Sequence, residues 1–344
     1  MKQTRTPHRV FALAALAAFA AVGVLGVGAS AASAETVLKL WHGEPAEVTL
    51  PGHTLTSPYH GGAMTFKEVM ERETGGAVKV QVFPAGQLYG GEREAIEALR
   101  AGALECLITA SAPLSAWESS IGVLDLPFIF ADIKVARRVL DGPIGQEILG
   151  KLERHGIKGL ALADNTFRQL ETRTKPIESV ADLKAMKIRV MESRVFIEMF
   201  RALEANPTPL PFSEVYTGLQ TGVLDGYEHP IFAYIGNRIY EVAKHVTWTN
   251  HTLTAVGYLM NLETFNALPA DVQQVALKAA AAARDAHRQY VEEINKVAVD
   301  ILRREGVTFN EVDTSGFKRR MEPVYASFEE QIGKELLQRV KNAN

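Results

Sequence analysis

The sequence predicts an α/β protein built as two lobes, and three observations lead there. The first half of the chain alternates strand-like and helix-like runs, the order of a mostly parallel sheet flanked by helices. Residues 187–230 repeat that alternation as strand, helix, strand, helix, strand with almost no slack. Near the C-terminus one helical pattern runs from Pro269 to about Glu305. At ~1.5 Å per residue it exceeds about 50 Å, which is longer than one lobe, so it should span both. A length of 344 residues also suits two lobes better than one minimal domain.

Taken in order, Lys2, Arg5 and Arg9 precede an apolar run from Val10 to Val27 that ends in Ala32-Ser33-Ala34. That is the pattern of a signal peptide over residues 1–34 cut after Ala34; the alternative is an N-terminal membrane anchor. No later stretch approaches the roughly 20 apolar residues of a membrane span. The mature chain is therefore expected to float free in an exported compartment. Cys106 is the only cysteine, so no internal disulfide can form and the core must carry stability.

The mature chain opens with a strand over 36–42 that ends in Leu40-Trp41-His42-Gly43. A loop rich in Pro, Gly, Ser and Thr follows, with Tyr59 and His60 just before a helix over about 62–73. A strand over 78–83, the loop Pro84 to Gly91 and a helix starting at Glu92 come next. Gly102 ends that helix, and a buried strand over 104–109, a helix over about 133–155 and a strand over 158–163 complete the first lobe. A second sheet is expected to begin around 167–172, take in 187–230, and continue through an extended run from Val246 to Leu259. Inside the 187–230 block, Phe196, Met199, Phe200 and Leu203 share one helical face. Pro207, Pro209 and Pro211 forbid helix, and Ser213 is placed to cap the next one. A strand over 307–312 and a charged amphipathic helix close the chain. The first lobe is thus expected to hold 35–164 with about 255–290, and the second 165–254 with about 291–344.

Composition narrows the function. Loss of Lys2, Arg5 and Arg9 takes the net charge from −3 to −6, without the basic stripe that nucleic acid requires. A few arginines can still concentrate positive potential in a cleft for an anionic small ligand. Nucleophile-elbow, metalloprotease, paired-cysteine and P-loop motifs are all missing, so an enzyme is not expected. The nine histidines are scattered without ligand spacing, so neither a metal nor a cofactor is expected. Glu192, Glu214 and Glu228 could form an acid–base pair. The simpler reading makes Glu214 a helix-start residue and leaves the others solvated or bonded to a ligand hydroxyl. Arg189, Phe212 and His229 each stand where a strand meets the next element, the kind of edge that lines the crevice of an α/β sheet.

PAGQL at 84–88, KIRV at 187–190 and NPTPLPFSEVYTGLQTGVLDGYE at 206–228 resemble the DctP family of TRAP-transporter solute-binding proteins. The resemblance covers essentially the whole mature chain, and the 206–228 block is its most specific part. It implies a two-lobed periplasmic binding protein of the type II-like fold, its long helix spanning both lobes, that acts as a monomer. Such a receptor captures an organic acid and hands it to a small and a large membrane subunit for ion-gradient-driven uptake. Alternatives are a sensor or a binding protein of another transporter on the same fold, or a periplasmic hydrolase or lyase.

The resemblance assigns the carboxylate grip to Arg189, a second arginine to Arg168 and the packing aromatic to Phe212. Gln87, Arg93 and Glu94 are expected to close over the ligand from the first lobe, with Trp41, His42, Tyr59 and His60 facing the cleft and Glu228 nearby. Many members carry asparagine where this chain has His229, glycine where it has Glu204, and proline where it has Arg194. A doubly protonated His229 would add a third cation and make affinity depend on pH.

Overall fold

The computed structural model describes residues 35–343; the signal peptide reading concerns residues outside that range. Among the described residues there are thirteen strands: β1 Thr36–His42, β2 Glu47–Leu50, β3 His53–Thr56, β4 Val78–Phe83, β5 Cys106–Ala110, β6 Ile157–Phe167, β7 Gln169–Thr172, β8 Lys187–Val190, β9 Asn206–Pro209, β10 Gly226–His229, β11 His245–Trp248, β12 Leu253–Asn261 and β13 Thr308–Glu311. They form a sheet ordered β4-β1-β5-β12-β6, a sheet ordered β13-β11-β7-β10-β8-β9, and a β2-β3 hairpin. The first sheet is parallel except for β12, which runs antiparallel to both neighbours.

Side chains alternate across each strand, so one strand feeds two cores. Leu107 and Ile108, adjacent on β5, point to opposite faces and join different apolar clusters. In the helix Arg194–Ala202, Val195, Phe196, Met199 and Phe200 are buried, which puts one apolar stripe against the second sheet. Each such side chain contributes on the order of 1.5–3 kcal/mol by leaving water. Prolines 207 and 209 lie in β9, an edge strand, where a missing N–H breaks no ladder on the open side.

The long helix is found at Ala270–Arg304, 35 residues. Its buried stripe starts with Ala276, Ala279, Ala280 and Ala283 and continues through Val291, Ile294 and Ile301. It packs against the helix Pro58–Glu73, against β6 and against the helix Ile231–Gly236, so it braces both lobes. Gly61 permits the first of these contacts, where a Cβ would run into Tyr290 of the long helix, and at Gly62 a Cβ would run into the Tyr258 hydroxyl of β12. Among the described residues no helix is long and apolar enough to cross a membrane.

Several expectations need correction. The loop after His42 contains the β2-β3 hairpin, turned at Pro51-Gly52 with Gly52 at φ +78°. Tyr59 and His60 lie inside the first turn of the Pro58–Glu73 helix, which Pro58 starts because the first turn needs no N–H bond there. The expected helix over 133–155 is broken into Ile133–Asp141, Pro143–Lys151 and a short 3₁₀ turn. Pro143 lacks an N–H and cannot continue the preceding helix. The run from Val246 to Leu259 is two strands in different sheets, β11 and β12. Between them Asn250 adopts φ +44°, which ends the extended run and lets the chain cross over. The other crossing is Phe167–Gln169, and the Arg168 N–H donates to the Thr252 carbonyl at 2.8 Å, tying the two crossings together. Ser213 does not cap the following helix; its hydroxyl lies 3.4 Å from the Gly90 carbonyl instead.

Candidate functional site

The carboxyl ends of β1, β5, β8 and β10 face one another across a cavity of about 220 Å³. Arg189 is in β8, at the wall of that cavity, and is 4 % exposed. Its Nε and one terminal nitrogen both donate to the Leu210 carbonyl, at 2.9 and 2.7 Å. Pro209 and Pro211 flank Leu210 and fix their own φ, which stiffens the loop that carries this acceptor. The other terminal nitrogen, Nη1, is buried with no partner. Burial pushes the guanidinium down to about 10, opposed by the field of Glu228, and it stays a cation at neutral pH. Its charge lies over the Phe212 ring, 5.6 Å from the centroid.

Arg168 sits between β6 and β7 and is fully buried. Its Nε donates to Glu228, Nη2 donates to Glu228 Oε1 at 2.8 Å and Nη1 donates to Thr254 Oγ1 at 2.7 Å. Glu228 also lies 3.2 Å from His251 Nε2. Burial works against Glu228's charge, but Arg168 and His251 hold the carboxyl below its ordinary range. Arg168 therefore reaches the cavity as one half of a buried ion pair, anchored to β12 of the first sheet and β10 of the second.

His229 ends β10, 7 % exposed, its ring stacked on Phe212 at 4.8 Å. Burial, then the nearby charges of Arg168 and Arg189, hold it well below its ordinary value. Burial and the two cations already present thus oppose a third cation at His229.

Opposite the arginines stand two carboxylates. Glu44 follows β1, is 8 % exposed and accepts from Asn237 Nδ2 at 3.1 Å. Burial raises it to about 7; Glu92 adds to the rise, while Asn237 and Arg189 oppose it. Glu92 accepts from Thr109 Oγ1 at 2.8 Å and from the Ala110 N–H at 3.0 Å, and burial raises it as well.

Of the residues singled out in the sequence, Trp41, Tyr59, Arg168, Arg189, Glu192, Phe212, Ser213 and His229 line this cavity. Trp41, the last residue but one of β1, has its indole N–H buried and unpartnered. The others lie elsewhere. His42 is fully buried, with Nε2 3.3 Å from His60 Nδ1. Gln87 is exposed on its loop. Arg93 is exposed beside Glu97 and over Trp117. Glu94 accepts from the Gly90 N–H at 2.9 Å and braces that turn. Glu228 stands behind Arg168.

Glu44, Glu92, Asn237 and Thr254 line the cavity without having been singled out. Glu92 had a signal: it shares helical spacing with the buried Ala95, Ile96 and Leu99, whereas Arg93 and Glu94 fall off that face. Glu44 and Thr254 had none, because only the tertiary fold brings them to the cleft.

The sequence model of the bacterial extracellular solute-binding protein family 7, DctP, matches residues 52–331. The chain belongs to the DctP family. A solute-binding protein of Verminephrobacter eiseniae is 38% identical over 292 residues, 84% of this chain and 87% of the relative. The C4-dicarboxylate-binding periplasmic protein DctP of Rhodobacter capsulatus is 36% identical over 294 residues, 83% of this chain and 87% of the relative. Among solved structures, the TRAP periplasmic solute-binding protein of Polaromonas sp. JS666 bound to D-erythronate superposes with a TM-score of 0.84 at 31% identity. That match covers 89% of this chain and 98% of the other. The two-lobed α/β fold with its long helix is that of the DctP-family solute-binding proteins.

Proposed function

We propose that this DctP-family member is a periplasmic receptor that takes one hydroxylated monocarboxylic acid between its lobes, releases it unchanged and delivers it to TRAP membrane subunits. The observation that carries this reading is the unpartnered, buried Nη1 of Arg189 at the cavity wall. A guanidinium held there by Leu210 is prepared for a carboxylate, and Lys could not match its planar fork.

Charge supports a single carboxylate. Arg168 is already neutralised by Glu228, which leaves Arg189 as the cation a ligand can satisfy. A second carboxylate on the ligand would meet Glu44 and Glu92, whereas hydroxyl groups can donate to them. The D-erythronate of the Polaromonas protein has this chemistry; the C4-dicarboxylate of the Rhodobacter relative's name does not.

A micromolar affinity is worth about −8 kcal/mol. Two charge-assisted hydrogen bonds of about 1.5–3 kcal/mol each supply much of that. The test is a thermal-shift panel of the mature protein with D-erythronate, D-galacturonate, succinate and uncharged sugars, followed by titration of the best acid into Arg189→Ala. Ligand that binds only the folded state raises Tm. Shifts with the hydroxy acids, and at least a roughly 30-fold loss in Arg189→Ala, are expected. A shift with succinate alone would overturn the monocarboxylate reading, and shifts with uncharged sugars alone would overturn the carboxylate grip.

A further inference from the structure

Behind the cavity wall a chain of buried polar groups runs to the long helix. Tyr59, in the first turn of the Pro58–Glu73 helix, lines the cavity and is 5 % exposed. Its oxygen accepts from Asn165 Nδ2 at 3.1 Å. Asn165, near the end of β6, is fully buried, and its Oδ1 lies 2.6 Å from His287 Nε2. His287 is on the long helix and is fully buried too, with Nδ1 3.2 Å from the Tyr258 hydroxyl.

The direction of these bonds follows from the chemistry of each group. Asn165 spends its amide nitrogen on Tyr59 and so offers an acceptor to His287, which must carry its proton on Nε2. Burial, with Arg288 and His42 adding to it, lowers His287 to about 3, so the ring is neutral and Nδ1 is an acceptor. Tyr258 can then donate to it or to the Ala283 carbonyl, 3.3 Å away. Two protons of the chain point towards the cavity, one from His287 to Asn165 and one from Asn165 to Tyr59. Tyr59's own proton is the one left over. No hydrogen bond among the described residues takes it. The charged groups around that hydroxyl are Glu92, Glu44 and Arg168, all at the cavity.

We infer that Tyr59 presents its hydroxyl proton to the bound solute, and that Asn165 and His287 are positioning residues that hold it in that sense. The inference rests on the proposed solute reading. It extends the site to the long helix, where His287 would influence affinity without touching the ligand. Because the helix braces both lobes, the orientation of a ligand donor is tied to the element that also holds the lobes together.

The probes are D-erythronate and D-galacturonate, titrated into wild type, Tyr59→Phe, His287→Leu and His287→Gln. Tyr59→Phe removes one hydroxyl from a well-packed ring and should fold. It is expected to weaken binding roughly tenfold, the worth of one hydrogen bond to a charged or polar ligand. His287→Leu should weaken binding in the wild-type background and have no further effect in Tyr59→Phe, because both act through one bond. His287→Gln keeps an amide donor for Asn165 and should recover part of the loss. Tyr59→Phe binding within about twofold of wild type, or additive losses, would overturn the inference.

If neither acid binds wild type, the reading of the cavity as a hydroxy-acid site fails separately, and nitrogen NMR of the free protein decides the relay. An Nε2–H tautomer of His287, with Asn165 amide signals that move in Tyr59→Phe, supports it. An Nδ1–H tautomer reverses every bond in the chain and overturns it.

Discussion

Arg168 and Arg189 are both buried at the same cavity, yet their surroundings are opposite. Arg168 has a carboxylate on two of its nitrogens and a threonine hydroxyl on the third. Arg189 has only a backbone carbonyl, and one of its nitrogens has nothing. Burying a charge is expensive unless it is paired, so the protein has met that cost itself for Arg168 and left it to be met from outside for Arg189. Residue type does not separate a structural cation from a ligand-binding one. The partner does.

The largest expected effect tests the closed half of this contrast. Glu228→Gln would leave Arg168 as an unpaired buried cation and should cost about 3–5 kcal/mol of stability. Urea denaturation of the free protein measures it; a loss below ~1 kcal/mol would mean that Thr254 and the backbone carbonyl of residue 228 already suffice for Arg168. Arg189→Ala should behave the other way. Binding should fall by about 2–5 kcal/mol, yet the stability of the free protein should stay within about 1 kcal/mol, because an unpaired cation leaves together with its bonds to Leu210. Comparable unfolding losses in the two variants would dissolve the distinction.

Glu44 sharpens the comparison from the opposite wall. Its folded value of about 7 lies above the ordinary range of an unfolded glutamate, so the folded state holds the proton more tightly. Its contribution is fully present below the unfolded value and is lost as pH rises through about 7. In the free protein, Glu44→Gln should therefore reduce the stability lost between about pH 4.5 and 7 by roughly 1–3 kcal/mol. Parallel Tm–pH curves for wild type and variant would show that Glu44 does not titrate there. Phe212→Leu is the mildest probe. It removes the ring under Arg189 and beside His229, and affinity should drop about two- to fivefold. An unchanged dissociation constant on calorimetry would reduce Phe212 to packing.

Much of this molecule could be read from the chain. The proline spacing around Leu210 forced an extended segment beside β8, and the apolar spacing of 196–203 forced a helix between two strands. The hairpin after β1 also has a local signal: Val48 and Leu50 alternate with polar residues before Pro51-Gly52. Glu92 was also within reach, through helical periodicity. Arg93 and Glu94 drew attention by charge alone, although their side chains leave the helix on its solvent side.

By itself the sequence determined the succession of strands and helices, the length of the helix that braces both lobes, and the membership of the chain in its family. These depend on local chemistry: side-chain periodicity, prolines without N–H groups, and motifs contiguous in the chain. Tertiary structure alone decided which arginine is free. Arg168 finds Glu228 because β7 and β10 pair antiparallel in a register that sets Glu228 opposite Leu170. Tyr59 meets His287 through Asn165 of β6 and by direct ring contact, with the centroids 5.1 Å apart. Such partners lie far apart along the chain, and their distance is set by strand register and helix packing, which no local pattern encodes.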